Sequence, residues 1–164
     1  MQPFTLDYCQ NVTLKNFTVD WDIPLTAQGT VVESTPDFME IEIDACQYPY
    51  IIENKRLTFV GEGWKSSVWS IMQFDPETHF VLPNTGDNLG WRGYDAMEVS
   101  RGRVRLSDPK KEANKFYPAA GTILVLRHST RDHAGIFIFH STNTKMENLK
   151  LFHTCGLGIL SQYS

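Results

Sequence analysis

"NVTLKNFTVDW", at residues 11–21, returns much later in the chain as "NTKMENLKLFH", at residues 143–153. When Asn143 is placed under Asn11, most apolar residues fall under apolar residues and most polar residues under polar ones. The apolar partners in this alignment are Met146 with Leu14, Leu149 with Phe17 and Leu151 with Val19. Alternation with a period of two, interrupted by Asn at fixed spacing, predicts short strands that meet at tight turns, because Asn tolerates left-handed backbone conformations.

The same register extends to flanking segments. "PFTLDYCQ", at 3–10, aligns with "GIFIFHST", at 135–142, and a third copy, "GLGILSQYS", begins at Gly156. This third copy predicts a period of 21 residues, with Leu157 on Ile136 and Ile159 on Ile138. Coils of about this length, stacked so that like residues lie over like, are typical of a right-handed parallel β-helix. Open coil ends would expose unpaired edges, so we also expect a segment of a longer protein.

The domain organisation follows from this repeat. We predict a first β-helix coil at 1–23, an inserted β-barrel domain at 24–134, and truncated following coils at 135–164. The strands predicted in the insertion are 29–34, 38–44, 56–60, 67–74, 79–82, 95–100, 103–107 and 122–129. Turns such as "STPD" and "RG" are short enough for hairpins, which favours a closed or nearly closed antiparallel barrel. The predicted fold class is all-β.

Composition and motifs exclude several functions. The 15 Lys and Arg residues against 19 Asp and Glu residues give a net charge of −4, with no basic stripe for nucleic acid. No apolar run approaches the roughly 18 residues of a membrane span, and the first ten residues lack the features of a signal peptide. The three cysteines lack CxxC spacing, and HExxH, phosphate-cradling loops and nucleophile motifs are absent. We therefore predict no metal and no cofactor; the oligomeric state is not indicated.

The corner where the insertion leaves the first coil is a candidate pocket. Asp20 and Asp22 flank Trp21, and in an extended strand their side chains share one face about 7 Å apart at Cα. Two carboxylic acids are the groups that glycoside hydrolysis requires, and an aromatic ring can stack on a sugar. Paired acids at a strand end are more often simply solvated.

"RHSTRDHAG", at 127–135, brings the chain back to that corner. Arg131 offers a fork of donors for a substrate hydroxyl or carboxylate, and Asp132 next to His133 offers an oriented base. The alternative is that the charges of this segment satisfy backbone groups where two domains meet. His140 and His153, within the coils, are expected to be hydrogen-bonded structural residues and not metal ligands.

Three stretches, "NVTLKNFTVDWDIPLTAQGTVVE" at 11–33, "VLRHSTRDHAGIFIFHSTNTKMENLKLFHTCGLGILSQYS" at 125–164, and the barrel between them, resemble glycoside hydrolase family 110, bacterial exo-acting α-1,3-galactosidases. The resemblance implies a β-helix with inserted β-barrels, an inverting mechanism without metal, and a galactose-terminated glycan as substrate. It also implies export to the periplasm or beyond. The catalytic acids are expected after Ser164, so no catalytic residue is assigned here.

The residues expected to contribute to the wall of the sugar pocket are Trp21, Asp22, Arg131, Asp132 and His133. Two alternatives stay open: a non-catalytic carbohydrate-binding barrel, and part of another β-helix enzyme that degrades polysaccharides, such as a lyase. Lyases commonly use calcium and basic residues, and the absence of an Asp-rich cluster counts mildly against that class.

Overall fold

A computed structural model describes residues 3–21, 24, 26–83, 94–108, 117–128, 133–154 and 156–164, with the backbone alone at 89–90. All regular structure in these residues is β-strand, which confirms the predicted all-β class. Accordingly, this part of the chain holds no helix long and apolar enough to cross a membrane. The chain divides into two compact units. We call Met1–Leu25 with Ser129–Ser164 the ladder unit, and Thr26–His128 the sheet unit.

The strands, in chain order, are β1 (Phe4–Asp7), β2 (Thr13–Val19), β3 (Thr26–Ser34), β4 (Phe38–Ile43), β5 (Tyr50–Glu53), β6 (Arg56–Gly61), β7 (Trp64–Ser67), β8 (Ser70–Phe74), β9 (Leu89–Gly90), β10 (Asp95–Ser100), β11 (Arg103–Ser107), β12 (Ile123–Arg127), β13 (Ile136–Phe139), β14 (Lys145–Leu151) and β15 (Ile159–Gln162).

Among the described residues of the ladder unit, every strand pairing is parallel. β1, β13 and β15 form one sheet in that order, and β2 pairs with β14 in another. The registers between the first and second copies confirm the sequence alignment: Phe4 pairs with Ile136, and Phe17 with Leu149. Strands that lie at opposite ends of the chain are therefore neighbours in space.

The third copy is displaced by two residues from its predicted position. Ile136 pairs with Ile159 and Ile138 with Ser161, so the predicted pairing of Leu157 on Ile136 is wrong and the spacing here is longer than the predicted period. The backbone hydrogen bonds at the preceding corner have the same offset, since the Gly135 amide donates to the Leu157 carbonyl at 3.0 Å. A Cβ at Gly135 would lie 2.8 Å from the Gly158 oxygen, so glycine at 135 permits the close approach of the two backbones in this register.

Burial in the ladder unit follows the stacking order. Ile136, on the middle strand, is 0% exposed, whereas Phe4 and Ile159, on the two outer strands, are 37% and 47% exposed. A strand of this kind hides its apolar side chains only when it has neighbours on both sides.

Asparagine pairs link the first two copies at two levels: Asn11 and Asn143 precede β2 and β14, and Asn16 and Asn148 lie within these strands. Asn11 and Asn143 have φ values of 57° and 53°, and the Asn143 amide donates to the Asn11 side-chain oxygen at 2.6 Å. Asn16 and Asn148 repeat this arrangement at 3.1 Å. Asn accepts the left-handed conformation, and its side chain then bonds the equivalent residue in the next layer.

The sheet unit contains a seven-stranded antiparallel sheet, in the order β10-β11-β4-β3-β12-β8-β9, and a separate sheet of β5, β6 and β7. The two hairpins predicted from "STPD" and "RG" are confirmed as β3–β4 and β10–β11. In the part of the chain that the structure describes, no ladder joins β10 to β9. Of the predicted closed or nearly closed barrel, closure is therefore not found in these residues, which form a seven-stranded sheet and a three-stranded one.

The strand predictions within the sheet unit need correction at several places. The sequence does not predict β5, β7 and β9 as separate strands, and of the predicted strand at 79–82 only Val81 pairs, through a single bridge with Phe74.

The core of the sheet unit lies against one face of β4 and β11. Met39 and Ile41 are 0% exposed and face it, while Glu40 points to the opposite face. Glu40 is nevertheless buried, because Arg103 and Arg105 cover its carboxylate, the Arg105 Nε donating at 2.8 Å. These hydrogen bonds, that from Arg105 first, lower the pKa of Glu40.

Candidate functional site

The corner that follows β2 and β14 carries the first of the predicted site residues. The ladder continues one step past these strands, since the Phe152 amide donates to the Val19 carbonyl at 2.9 Å. Continuing the register of Leu151 on Val19 sets Phe152 level with Asp20 and His153 level with Trp21. His153 therefore occupies in the second layer the position that Trp21 occupies in the first.

One carboxylate oxygen organises this corner. Asp20 Oδ1 accepts a hydrogen bond from the Trp21 backbone amide at 2.8 Å and lies 2.7 Å from His153 Nδ1. The hydrogen bond from His153 and, next, that from the Trp21 amide lower the pKa of Asp20, so its carboxylate form is favoured. A carboxylate can only accept, so Nδ1 carries the proton and Nε2 is left as an acceptor in the neutral ring.

The histidine is held in a backbone conformation that presents it to this oxygen. His153 has a φ of +48°, a region that non-glycine residues seldom adopt. Its side chain is 49% exposed and that of Asp20 is 48% exposed, so both groups face solvent. The expectation that His153 is hydrogen-bonded is confirmed.

The structure places only part of the predicted site. Trp21 is half-buried, and its amide is fixed by Asp20; His133 is exposed. Asp22, Arg131 and Asp132 lie outside the described residues, so their convergence around Trp21 stays a prediction. The predicted pairing of Asp20 with Asp22 is likewise untested, and the partner that Asp20 has in the structure is His153.

Arg127 and His128, from the returning segment, have buried positions in the sheet unit. The Arg127 guanidinium lies 4.7 Å from the centre of the Trp69 ring, and Arg127 is 6% exposed. His128 is 1% exposed and lies against Trp64 and Phe59, with ring centres 5.5 and 4.6 Å away. Neither ring nitrogen of His128 has a hydrogen-bond partner, and burial lowers its pKa to about 4. His128 is thus a neutral core residue and does not satisfy backbone groups through its ring.

A stack of aromatic rings follows β1, β13 and β15 on the ladder unit. Tyr8, His140 and Tyr163 each have φ between 45° and 55°, and the ring centres are 4.8 and 5.0 Å apart. The sequence alone does not predict the stack. The contacts found for the His140 ring are with aromatic rings, and the hydrogen bond found at this residue is from its backbone amide to the Gln162 carbonyl at 3.1 Å. The sequence signal was available, because these residues all follow an aligned strand.

Metal ligands and disulfides are not found in the described residues. No group of three or more His, Cys, Asp or Glu side chains in these ranges is arranged to hold a metal ion. Cys9 and Cys46 are both free thiols. The chemistry offered by the corner is therefore hydrogen bonding and ring contact, from Asp20, Trp21 and His153.

The parallel strands stack in register, and an antiparallel sheet unit is inserted between them in the sequence. This arrangement defines an all-β protein built from stacked parallel strands. Within that class the particular family is clear from a family model, "GLAA-B beta-barrel domain I", which matches residues 27–124. The chain belongs to this family.

Three curated relatives support the same assignment. The chain is 79% identical over its full length to "Alpha-1,3-galactosidase B" of Bacteroides thetaiotaomicron, of which it covers 27%. It is 32% identical to "Alpha-1,3-galactosidase B" of Akkermansia muciniphila, where 94% of the chain aligns with 19% of that protein. Over its full length it is also 30% identical to "Alpha-1,3-galactosidase A" of Bacteroides fragilis, of which it covers 26%. The chain spans about a fifth to a quarter of the length of these relatives, and the resemblance predicted from the sequence is confirmed.

Proposed function

We propose that this chain is part of a glycoside hydrolase that releases terminal α-1,3-linked galactose from glycans with inversion of configuration. The observation that carries the proposal is the 79% identity, over all residues of this chain, to a protein named as an α-1,3-galactosidase. An inverting reaction needs one carboxylic acid to protonate the leaving oxygen and one carboxylate to activate water, about 6.5–9.5 Å apart. We assign neither role to a residue of this chain.

The fold that we propose for the chain is a right-handed parallel β-helix interrupted by an inserted barrel domain. Three parallel strand pairings in register support it, together with asparagine ladders that bond one layer to the next. Stacked layers of this kind build a long, rigid surface on which side chains from successive layers line up, and such a surface suits a chain-like substrate.

The proposed sugar-contacting residues are Trp21, Asp22, Arg131, Asp132 and His133. Support comes from the corner itself: the Trp21 backbone is fixed by Asp20, and the indole is only half-buried, which leaves ring surface for a sugar. An Arg fork and carboxylates suit the hydroxyl groups of galactose, since both make charge-assisted hydrogen bonds. The proposal needs no cofactor. We place the protein in the periplasm or outside the cell, as the resemblance implies.

A chimera tests the proposal directly. This chain replaces the matched segment in the galactosidase B of Bacteroides thetaiotaomicron, and release of galactose from p-nitrophenyl α-galactoside and from an α-1,3-linked digalactoside is measured. We expect activity within about tenfold of the parent, with β-galactose as the first product by NMR. A folded chimera without activity would refute the proposal. The isolated chain is the control: retention of the glycan without turnover by this chain, with an inactive chimera, would favour a binding module.

Two substitutions in the chimera test the proposed wall. Asp22→Asn and Asp132→Asn each keep the shape of the side chain and remove its charge, and we expect each to raise KM for the digalactoside. Glu42→Asn, on the exposed face of β4, is the control. Unchanged kinetics in both site variants would remove these two residues from the site.

A further inference from the structure

We propose that His153 is an additional sugar-binding residue, held by Asp20 so that its Nε2 accepts a hydrogen bond from a glycan hydroxyl beside Trp21. The inference rests on the proposed function and deepens it. It adds to the proposed sugar site a hydrogen-bond acceptor that comes from the second layer of strands. No residue of the β14 corner is among the predicted sugar contacts.

The contact with Asp20 determines which nitrogen of the neutral His153 ring carries the proton. His153 Nδ1 lies 2.7 Å from Asp20 Oδ1, and a carboxylate has no proton to donate. In the neutral ring the proton is therefore on Nδ1, and Nε2 carries a lone pair. This use of a carboxylate to fix the tautomer and direction of a histidine is common wherever the second nitrogen has a task.

The other ring nitrogen of His153, Nε2, is the proposed acceptor. The only hydrogen bond found for the ring among the described residues is the one to Asp20, and the side chain is 49% exposed. Nε2 is thus an acceptor on the opposite side of the ring from the bonded Nδ1, in a side chain that is half exposed. Sugar hydroxyls are donors, and a fixed acceptor rewards a hydroxyl in one position more than in its epimer.

Asp20 also links His153 to Trp21. The same Asp20 oxygen accepts from the Trp21 amide at 2.8 Å, and the β2–β14 register, which ends at Leu151 on Val19, sets His153 level with Trp21 when it is continued by two positions. An exposed pair of this kind adds little to stability. Its consequence is geometric: one atom fixes both the backbone that carries the indole and the ring that carries the acceptor. The pair matches a sugar that stacks on an apolar surface and donates a hydroxyl at its edge.

The kinetic test uses His153→Asn in the active chimera. Asn suits the left-handed backbone, and its amide still reaches Asp20, but it has nothing in place of Nε2. We expect KM for the digalactoside to rise about 2- to 12-fold, the range for one hydrogen bond, with kcat and the urea midpoint unchanged. His140→Asn is the matched control, since His140 is also an exposed histidine with a φ of +45° on the ladder unit. It should leave KM unchanged.

A double-mutant cycle and a spectroscopic readout test the role of Asp20. Asp20→Ala should raise KM at least as much as His153→Asn, because it also frees the Trp21 amide, and adding His153→Asn to Asp20→Ala should raise KM no further. In the ¹⁵N spectrum of the unmodified chain, we expect the neutral His153 ring to carry its proton on Nδ1, and to lose that preference in Asp20→Ala.

The outcomes separate the two proposals. An active chimera in which His153→Asn leaves KM unchanged, or a His153 ring protonated on Nε2, overturns this inference and leaves the proposed function intact. A folded but inactive chimera overturns the proposed function and this inference with it.

Discussion

Acid should weaken the sheet unit through one buried histidine. His128 is 1% exposed, has no hydrogen-bond partner at either nitrogen, and packs its ring on Trp64 at an interplanar angle of 9°. Burial is the sole cause of its lowered pKa, about 4 against the usual 6.5. Protonating the ring in place would leave a charge among aromatic rings, so the proton binds more readily after unfolding.

The direction and the size of the change in the free energy of unfolding follow from the linkage between proton binding and folding. Because the folded pKa lies below the unfolded one, the stabilisation is fully present above pH 6.5 and is lost as the pH falls toward 4. With these two pKa values, the free energy of unfolding should drop by about 2 kcal/mol between pH 8 and pH 5 and by about 3 kcal/mol by pH 4.

Urea unfolding of the whole chain, followed by far-ultraviolet circular dichroism at pH 8 and pH 5, measures this loss. His128→Phe keeps the stacking surface and cannot titrate, so the loss between the two pH values should shrink by about 2 kcal/mol relative to the unmodified chain. His79→Asn is the control, because His79 is exposed and has a φ of +59° that Asn accepts, and its pH dependence should match the unmodified chain. Equal pH dependence in His128→Phe and the unmodified chain would refute the reasoning.

Three further predictions concern stability in urea at pH 8. Ile136→Ala, in the buried middle strand, should cost about 2–5 kcal/mol by leaving a cavity, whereas Ile159→Ala, 47% exposed, should cost clearly less; equal losses would contradict the burial order. Glu40→Ala should cost about 1–3 kcal/mol, since charged hydrogen bonds from two Arg side chains are lost, while Glu42→Ala on the exposed face should stay within about 0.5 kcal/mol. Gly102→Ala should lower the urea midpoint, because its φ is +80° and a Cβ would lie 2.9 Å from the Ile43 carbonyl; an unchanged midpoint would show that the hairpin relaxes freely.

The stacked registers were predictable because two independent signals agree there. Asn at the corners fixes the turn, and alternation fixes which side chains face inward, so Leu149 could be aligned with Phe17 across the whole insertion. The register of the third copy was predicted from the alternation alone. Alternation fits either the predicted spacing or one longer by two positions, because a shift of two residues keeps every side chain on the same face.

The sheet unit was less predictable for a physical reason. β7 reads "WKSS", and it is a strand because its neighbour β6 supplies hydrogen bonds, not because its own residues favour strands. His128 carries a polar ring, so its place in the core follows only from Phe59 and Trp64, which come from other strands. At the candidate site, the offset between the two copies already sets His153 over Trp21, but the diagonal contact to Asp20 depends on a backbone angle that no alignment gives.

The interval between paired strands also bears on how the chain is made. The β1–β13 and β2–β14 pairings cannot form until β13 and β14 have been synthesised, because the whole sheet unit lies between these strands in the sequence. At about 5–20 residues per second, the wait on the ribosome is roughly 7–26 s. During that time the β10–β11 hairpin and its neighbours can close, since every strand partner of the sheet unit lies within that unit. The inserted unit is therefore expected to fold before β13 and β14 pair with β1 and β2.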